Sequence, residues 1–243
     1  LDAAKARGLR SGENPAAWRG NLKVLLPKRK RLTRGHHPAL PYVEMPVFMA
    51  DLRSRDAMAA LALEYCILTA TRTGETLGAE WKEIDLDTGL WVVPASRMKV
   101  GKEHRIPLSK RALDILAKLT TARTGRFVFP GPRPGRPMSN MAMMMLLRRM
   151  GRGELTVHGF RSAFRDWAGN ETHFAREVAE AALAHVIGDA AERAYRRGDA
   201  LEKRRAMIEA WALWCEPKPE NVLTFAKPNE PTSEIVVARG SPA

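Results

Sequence analysis

The chain has 243 residues, 45% hydrophobic and 28% charged, a balance that excludes a mostly disordered or collagen-like protein. Forty Lys and Arg against 27 Asp and Glu leave a formal charge of +13, which favours a polyanionic partner, nucleic acid before an acidic membrane surface. The longest apolar run, Met58–Ala70, is interrupted by Glu64 and falls short of the ~18 residues a spanning helix needs, so no integral membrane protein is expected.

Taken in chain order, residues 1–45 carry dense loop signals, including Gly8, Gly12, Asn14-Pro15, Gly20, Pro27, Gly35, Pro38 and Pro41. Within them Lys28, Arg29, Lys30 and Arg31 form a basic run able to follow a phosphate backbone. The opening Leu1 and its helix-like context predict that an N-terminal portion precedes this sequence. Pro46 suits the first turn of a helix running to about Leu52, and Asp56–Ala70 reads as a longer, mostly buried helix. Trp81–Leu86, Leu90–Pro94 and His104–Leu108 read as three short strands, turned at Asp87-Thr88-Gly89 and Val100-Gly101-Lys102. Ser109 is placed to cap a helix reaching about Thr121. A Pro/Gly-rich loop follows over Gly125–Pro137, then helices at Ser139–Met150, His158–Ala168, Glu177–Ala184 and Leu201–Cys215. Beyond Glu216, Pro217, Pro219, Pro228 and Pro231 predict a flexible tail. The expectation is an α+β fold, mainly helical, with a small antiparallel three-stranded sheet: 1–45 as the end of one domain plus a basic linker, 46–215 as the main domain, and 216–243 as the tail. Cys66 and Cys215 are too few for a disulfide scaffold and read as buried hydrophobes of a reducing compartment.

The sequence holds no phosphate-binding Gly-Lys-Ser/Thr loop, no Cys-x-x-Cys and no His-Glu-x-x-His, so neither cofactor nor metal is expected. Five stretches stand out. Thr69-Ala70-Thr71-Arg72-Thr73-Gly74-Glu75 puts an arginine just after an apolar helix. Arg97-Met98-Lys99-Val100-Gly101-Lys102 is a basic hairpin. In Thr156-Val157-His158-Gly159-Phe160-Arg161, His158 and Arg161 are three apart and share a helix face. Leu183-Ala184-His185 lies at a helix end, and Ala194-Tyr195-Arg196-Arg197-Gly198-Asp199 follows ten residues after His185.

In this order and spacing the five stretches resemble the catalytic domain of the tyrosine recombinases, with wording nearest the integrases of satellite phages, prophages and genomic islands. The likeness runs over about residues 39–215 and includes Trp81-Lys82-Glu83-Ile84-Asp85, Pro107-Leu108-Ser109, and Arg204-Arg205 with Met207. It implies a metal-free site-specific recombinase that cuts and rejoins DNA through a covalent 3′-phosphotyrosine, in the integration or excision of a mobile element. Phosphodiester displacement builds negative charge on the non-bridging oxygens, and Arg72 and Arg161 are the candidate clamp. The nucleophile is expected at Tyr195, since Tyr65 lies in an apolar run and Tyr42 in a Pro-rich segment. His158 is the expected base for the phenolic proton, His185 a donor to the phosphate, Lys99 the acid for the 5′ oxygen, with Lys102 its rival, and Glu75 a support for Arg72 or its helix. His36, His37, His104 and His173 read as surface residues. Ala70, where the family pattern favours glycine, predicts a turn of slightly different geometry.

The resemblance further implies double-stranded DNA as partner, a homotetramer on paired sites that can be a monomer without DNA, a directionality factor, and a cytoplasmic, nucleoid-associated location. It also implies that residues 1–45 hold the end of a core-binding domain, so that the chain alone grips DNA weakly. Two other classes stay open at this stage: a catalytically silent DNA-binding accessory protein, and a type IB topoisomerase-like enzyme that relaxes DNA.

Overall fold

A computed structural model of the chain describes residues 1–26, 38–185 and 200–217. The chain divides into two compact units, Leu1–His36 and His37–Ala243. In the first, the described residues form a short helix α1 (Asp2–Ala6), a kinked segment over Trp18–Leu22 in which Arg19 and Gly20 leave helical geometry, and one further helical turn α2 (Lys23–Leu25), none with a buried residue.

The second unit is built around α4 (Met58–Leu68), whose sequence Met-Ala-Ala-Leu-Ala-Leu-Glu-Tyr-Cys-Ile-Leu has no continuous polar face, its one charge, Glu64, being buried and paired with Arg53 and Arg111. A helix without a polar face must be covered all round. Here α3 (Met45–Arg53), α5 (Thr73–Leu77), α6 (Lys110–Thr120), α7 (Ala142–Arg149) and the last described helix, α10 (Leu201–Trp214), pack against it. The helix α6 shows how the sequence specifies one of these partners. Ser109 Oγ accepts the Ala112 N–H and starts the helix, and Ala112, Ile115, Leu116 and Leu119 recur at helical spacing on its buried side. The remaining α-helices among the described residues are α8 (Gly159–Glu171) and α9 (Arg176–Ala182). Trp211 of α10 is fully buried, stacks near Trp167 and Phe164 of α8, and donates its indole N–H to Ile67 O at 2.9 Å. Cys66 and Cys215 are both buried free thiols.

The sheet has strand order β1-β2-β3, all antiparallel: β1 (Ile84–Asp85), β2 (Leu90–Val93) and β3 (His104–Pro107), with Trp91 opposite Ile106 and Val93 opposite His104. Two expectations need correction here. Trp81–Glu83 is a 3-10 turn rather than the start of a strand, because the Glu83 carboxylate turns back to accept the Glu80 N–H. His104 is buried rather than on the surface. Its register faces it toward α9, where its Nε2 meets Ala182 O at 3.3 Å. Burial, helped by the nearby Arg204 charge, pushes its imidazole down to about 4. His173 is exposed as expected, while His36 and His37 lie outside the described residues.

Candidate active site

The helix α4 ends in a Schellman-type turn: Thr71 N–H reaches back to Cys66 O at 3.3 Å and Ala70 N–H to Ile67 O at 3.1 Å. Ala70 takes φ +50°, the left-handed conformation in which glycine is at ease, so the alanine adopts the turn rather than altering it. A buried hydroxyl chain fixes the bend that follows. Thr69 Oγ1 donates to Tyr65 O at 2.7 Å, and the hydroxyls of Thr69, Thr71 and Thr76 link in series at 2.9 and 2.7 Å.

That bend delivers Arg72 in extended conformation at the N-cap of α5. Glu75, buried one turn later, holds it twice: one carboxylate oxygen accepts the Arg72 backbone N–H at 2.9 Å, the other its Nη1 at 2.7 Å. Glu75 thus supports both the arginine and the helix start. The Arg72 side chain stays partly open to solvent.

Arg161, in the first turn of α8, is buried. Its Nη1 donates to Ala70 O and its Nη2 to Leu183 O at 2.6 Å, so this guanidinium ties the end of α4 to the end of α9. Its Nε–H is buried and meets no acceptor among the described residues. Burial, and then repulsion from Arg72, push this guanidinium down to about 10, which leaves it charged at neutral pH. Two like charges this close, one with an orphaned donor, make a place that favours an anion.

The helix α9 ends in the same way as α4. His185 N–H bonds Glu180 O at 2.9 Å, Ala184 N–H bonds Ala181 O at 3.1 Å, and Ala184 has φ +49°. The turn brings the His185 ring to Arg161, with Nε2 3.2 Å from Nη2, and to Glu180, with Nδ1 2.6 Å from Oε2. Donation from Nδ1 to the carboxylate leaves Nε2 as the acceptor for Arg161. Glu180 is buried, and its other oxygen accepts Arg165 Nε at 2.7 Å. Burial pushes Glu180 upward, but the hydrogen bonds from His185 and Arg165 outweigh it and hold the carboxyl below its usual range.

Arg72, Glu75, Arg161 and His185 therefore meet in one place. His158 stands exposed at the N-cap of α8, one turn before Arg161. The glycine between them has a packing reason: a Cβ on Gly159 would lie 2.3 Å from Pro38 O, so only glycine lets that segment cross the helix start. Lys99 is exposed in a turn closed by Gly101 N–H to Met98 O at 3.0 Å, with Gly101 at φ +64°. Lys102 is exposed beside it. Tyr195 lies outside the described residues. The other two tyrosines are engaged: Tyr65 is buried against Trp91 and Phe129, and Tyr42 donates its hydroxyl to Glu171 at 2.9 Å.

Sequence reasoning overlooked Glu180 and Arg97. The available signal for Glu180 was a lone carboxylate in the apolar stretch Val178-Ala179-Glu180-Ala181-Ala182. Arg97 read only as part of a basic hairpin, although it bonds Glu83 and the backbone of Glu75.

A family model described as the phage integrase family matches residues 41–200. A curated protein, prophage integrase IntA of Escherichia coli K12, is 39% identical over 180 residues, covering 72% of this chain and 43% of its own. The chain spans about half the length of the curated relatives it matches. Among solved structures, a lambda integrase (75-356) dimer bound to a COC′ core site superposes with a TM-score of 0.55 at 20% identity, over 76% of this chain and 67% of that one. A lambda integrase tetramer bound to a Holliday junction superposes with a TM-score of 0.54 at 20% identity, over 78% and 56%. These structures share the fold.

Proposed function

The chain belongs to the phage integrase family of tyrosine recombinases, and from that premise we propose that it cuts and rejoins DNA through a covalent 3′-phosphotyrosine at Tyr195, without a metal, in the integration or excision of a mobile element. Residues 46–215 are the catalytic domain on this reading, 1–45 the end of a core-binding domain with its basic linker, and 216–243 a C-terminal tail.

The observation that carries it is the pair Arg72 and Arg161, held by Glu75 and by two backbone carbonyls, with one buried N–H still seeking an acceptor. A scissile phosphate placed there offers non-bridging oxygens to both guanidinium groups, and their hold tightens as charge builds in the transition state. The Tyr195 oxygen attacks phosphorus while His158 takes its proton. The bond to the 5′ oxygen breaks, and Lys99 gives that oxygen a proton. Rejoining reverses these transfers with the 5′ hydroxyl of the incoming strand. On this reading His185 is the further contact to the phosphate, its ring held in place by Glu180 at Nδ1 and set against Arg161.

Double-stranded DNA is the partner. The working form is a homotetramer on paired sites, as the lambda integrase tetramer on a Holliday junction suggests by analogy, and a directionality factor sets the balance of integration and excision. The +13 charge supplies the salt-dependent part of binding. Among the described residues no helix is long and apolar enough to cross a membrane, and a cytoplasmic, nucleoid-associated location follows from the proposed substrate.

A nicked suicide substrate that loses its 5′ fragment after cleavage tests the reading. The expected result is a detergent-resistant protein–DNA complex that forms in excess EDTA and is missing in Tyr195→Phe. A complex that persists in Tyr195→Phe, or that EDTA abolishes, overturns it.

A further inference from the structure

Arg97 sits two residues before Lys99, in the 3-10 turn Ala95–Arg97 that leads from β2 into the hairpin. Its guanidinium reaches away from the hairpin. Nη1 donates to both carboxylate oxygens of Glu83, at 2.6 Å to Oε1, and Nη2 donates to the backbone oxygen of Glu75 at 2.5 Å. Glu83 is buried and is held in turn by the Trp91 indole N–H at 3.1 Å and the Glu80 backbone N–H at 3.2 Å. Glu75 is the residue whose carboxylate fixes Arg72.

The space for this bridge is shaped by glycine. A Cβ on Gly78, just past α5, would lie 3.0 Å from Arg97 Nη2 and 3.3 Å from its Cζ. From Arg97 to the tip the backbone has little freedom. Arg97 N–H bonds Pro94 O at 2.9 Å, Met98 N–H bonds Ala95 O at 3.1 Å, the Met98 side chain is buried, and Gly101 N–H bonds Met98 O. Only at Lys99 does the chain become exposed.

We propose that Arg97 is a positioning residue that locks the root of the Lys99 hairpin onto the helix carrying Arg72, so that the proton donor and the phosphate clamp share one frame. The inference rests on the reading of Lys99 as the acid for the 5′ oxygen. Arg97 acts through Lys99, and its Nη1 and Nη2 are each bonded to a protein acceptor. A lysine cannot replace it, since one ammonium does not span Glu83 and the Glu75 carbonyl in the fixed fork of a guanidinium.

The test uses a leaving group that needs no acid. When sulfur replaces the bridging 5′ oxygen, the phosphorus–sulfur bond breaks with its electron pair leaving on sulfur, and the thiolate departs without a proton. The 243-residue chain is compared with Arg97→Lys, with the double variant Arg97→Met/Glu83→Gln, which leaves no buried carboxylate unpaired, and with Lys99→Ala. On the ordinary suicide substrate the Arg97 variants are expected to lose ~10- to 100-fold in the rate of covalent complex formation, the scale of an ångström-level misplacement. On the sulfur substrate their rates return to within about threefold of the parent, in parallel with Lys99→Ala, because no proton transfer remains to be misaligned. Full rates on the ordinary substrate overturn the proposal. So does an undiminished deficit on sulfur in the Arg97 variants while Lys99→Ala is rescued, which places the effect of Arg97 elsewhere and leaves the role of Lys99 standing. If Lys99→Ala gains nothing from sulfur, the donor assignment itself fails and the tether falls with it.

Discussion

The ground around Arg161 and the turn that carries Lys99 are built on opposite terms. Arg161 is buried, bonded to the backbone oxygens of Ala70 and Leu183, and pressed between two helix ends that both finish in a left-handed alanine. Lys99 is exposed at the tip of a turn whose rigidity stops at Met98 and Arg97. A group that must present fixed charge to a developing oxyanion gains from being immobile, because no reorganisation is needed as the charge forms. A group that must hand a proton to a departing oxygen gains from a flexible stem on a fixed root. The helix ends sharpen the contrast. The helix α7, which contributes no proposed catalytic side chain, closes with the same long-range bond, Arg152 N–H to Leu147 O at 2.8 Å, but places Gly151 at φ +72° where α4 and α9 place alanines. Two of the three left-handed alanines among the described residues, Ala70 and Ala184, thus lie where the proposed clamp is assembled, and the third, Ala200, starts α10.

The comparison can be broken first by paired substitutions. Arg161→Lys is expected to cost ~10³-fold in covalent complex formation and, because two buried carbonyls lose their donor, about 2 kcal/mol of stability. Lys99→Ala is expected to cost ~10²-fold or more in the same assay with no change in urea midpoint, since general acid catalysis is lost and nothing is unpacked. Equal stability losses in the two variants would erase the distinction between the regions.

A second test uses pH on the rigid side alone. His104 bonds Ala182 O beside the α9 turn and is held neutral down to about 4, against an ordinary value near 6.5. The unfolded chain takes up this proton as pH falls through about 6.5 and the folded chain does not. The stability contribution is therefore full above that value and is lost on acidification, by about 2 kcal/mol between pH 7 and 5. His104→Gln, which keeps a donor for Ala182 O, is expected to flatten the fall in urea-unfolding free energy by that amount. An unchanged slope would contradict the burial argument.

The smallest effect concerns the alanines. Ala70→Gly and Ala184→Gly are each expected to stabilise the fold by about 0.5–1 kcal/mol, because glycine relieves the left-handed strain at a modest entropic cost. Destabilisation by either would mean that the alanine methyl outweighs the strain.

Much of this was legible in the residues. Ser109 and the apolar spacing after it set out α6, the apolar run after the Asp87-Thr88-Gly89 turn marked the strand Leu90–Val93, and the stretches around Arg72, Arg161 and His185 marked residues that the structure brings together. What escaped depended on partners far along the chain. The Glu83 carboxylate bends Trp81–Glu83 out of the sheet through bonds to Glu80 and Trp91. The burial of His104 depends on helices far along the chain, α10 packed on its strand and the end of α9 met by its ring at Ala182 O. Arg97 spans 22 residues to the backbone of Glu75, a reach that local pattern cannot encode. Glu180 meets His185 only because the left-handed Ala184 folds the chain back over its own helix.

The most direct test of the account is to identify the atom that becomes joined to DNA. Wild-type chain trapped on a nicked suicide substrate, digested with trypsin and sequenced by mass spectrometry, is expected to carry the 3′ phosphate on the peptide containing Tyr195. A DNA adduct on Tyr42, on Tyr65 or on any serine would contradict it.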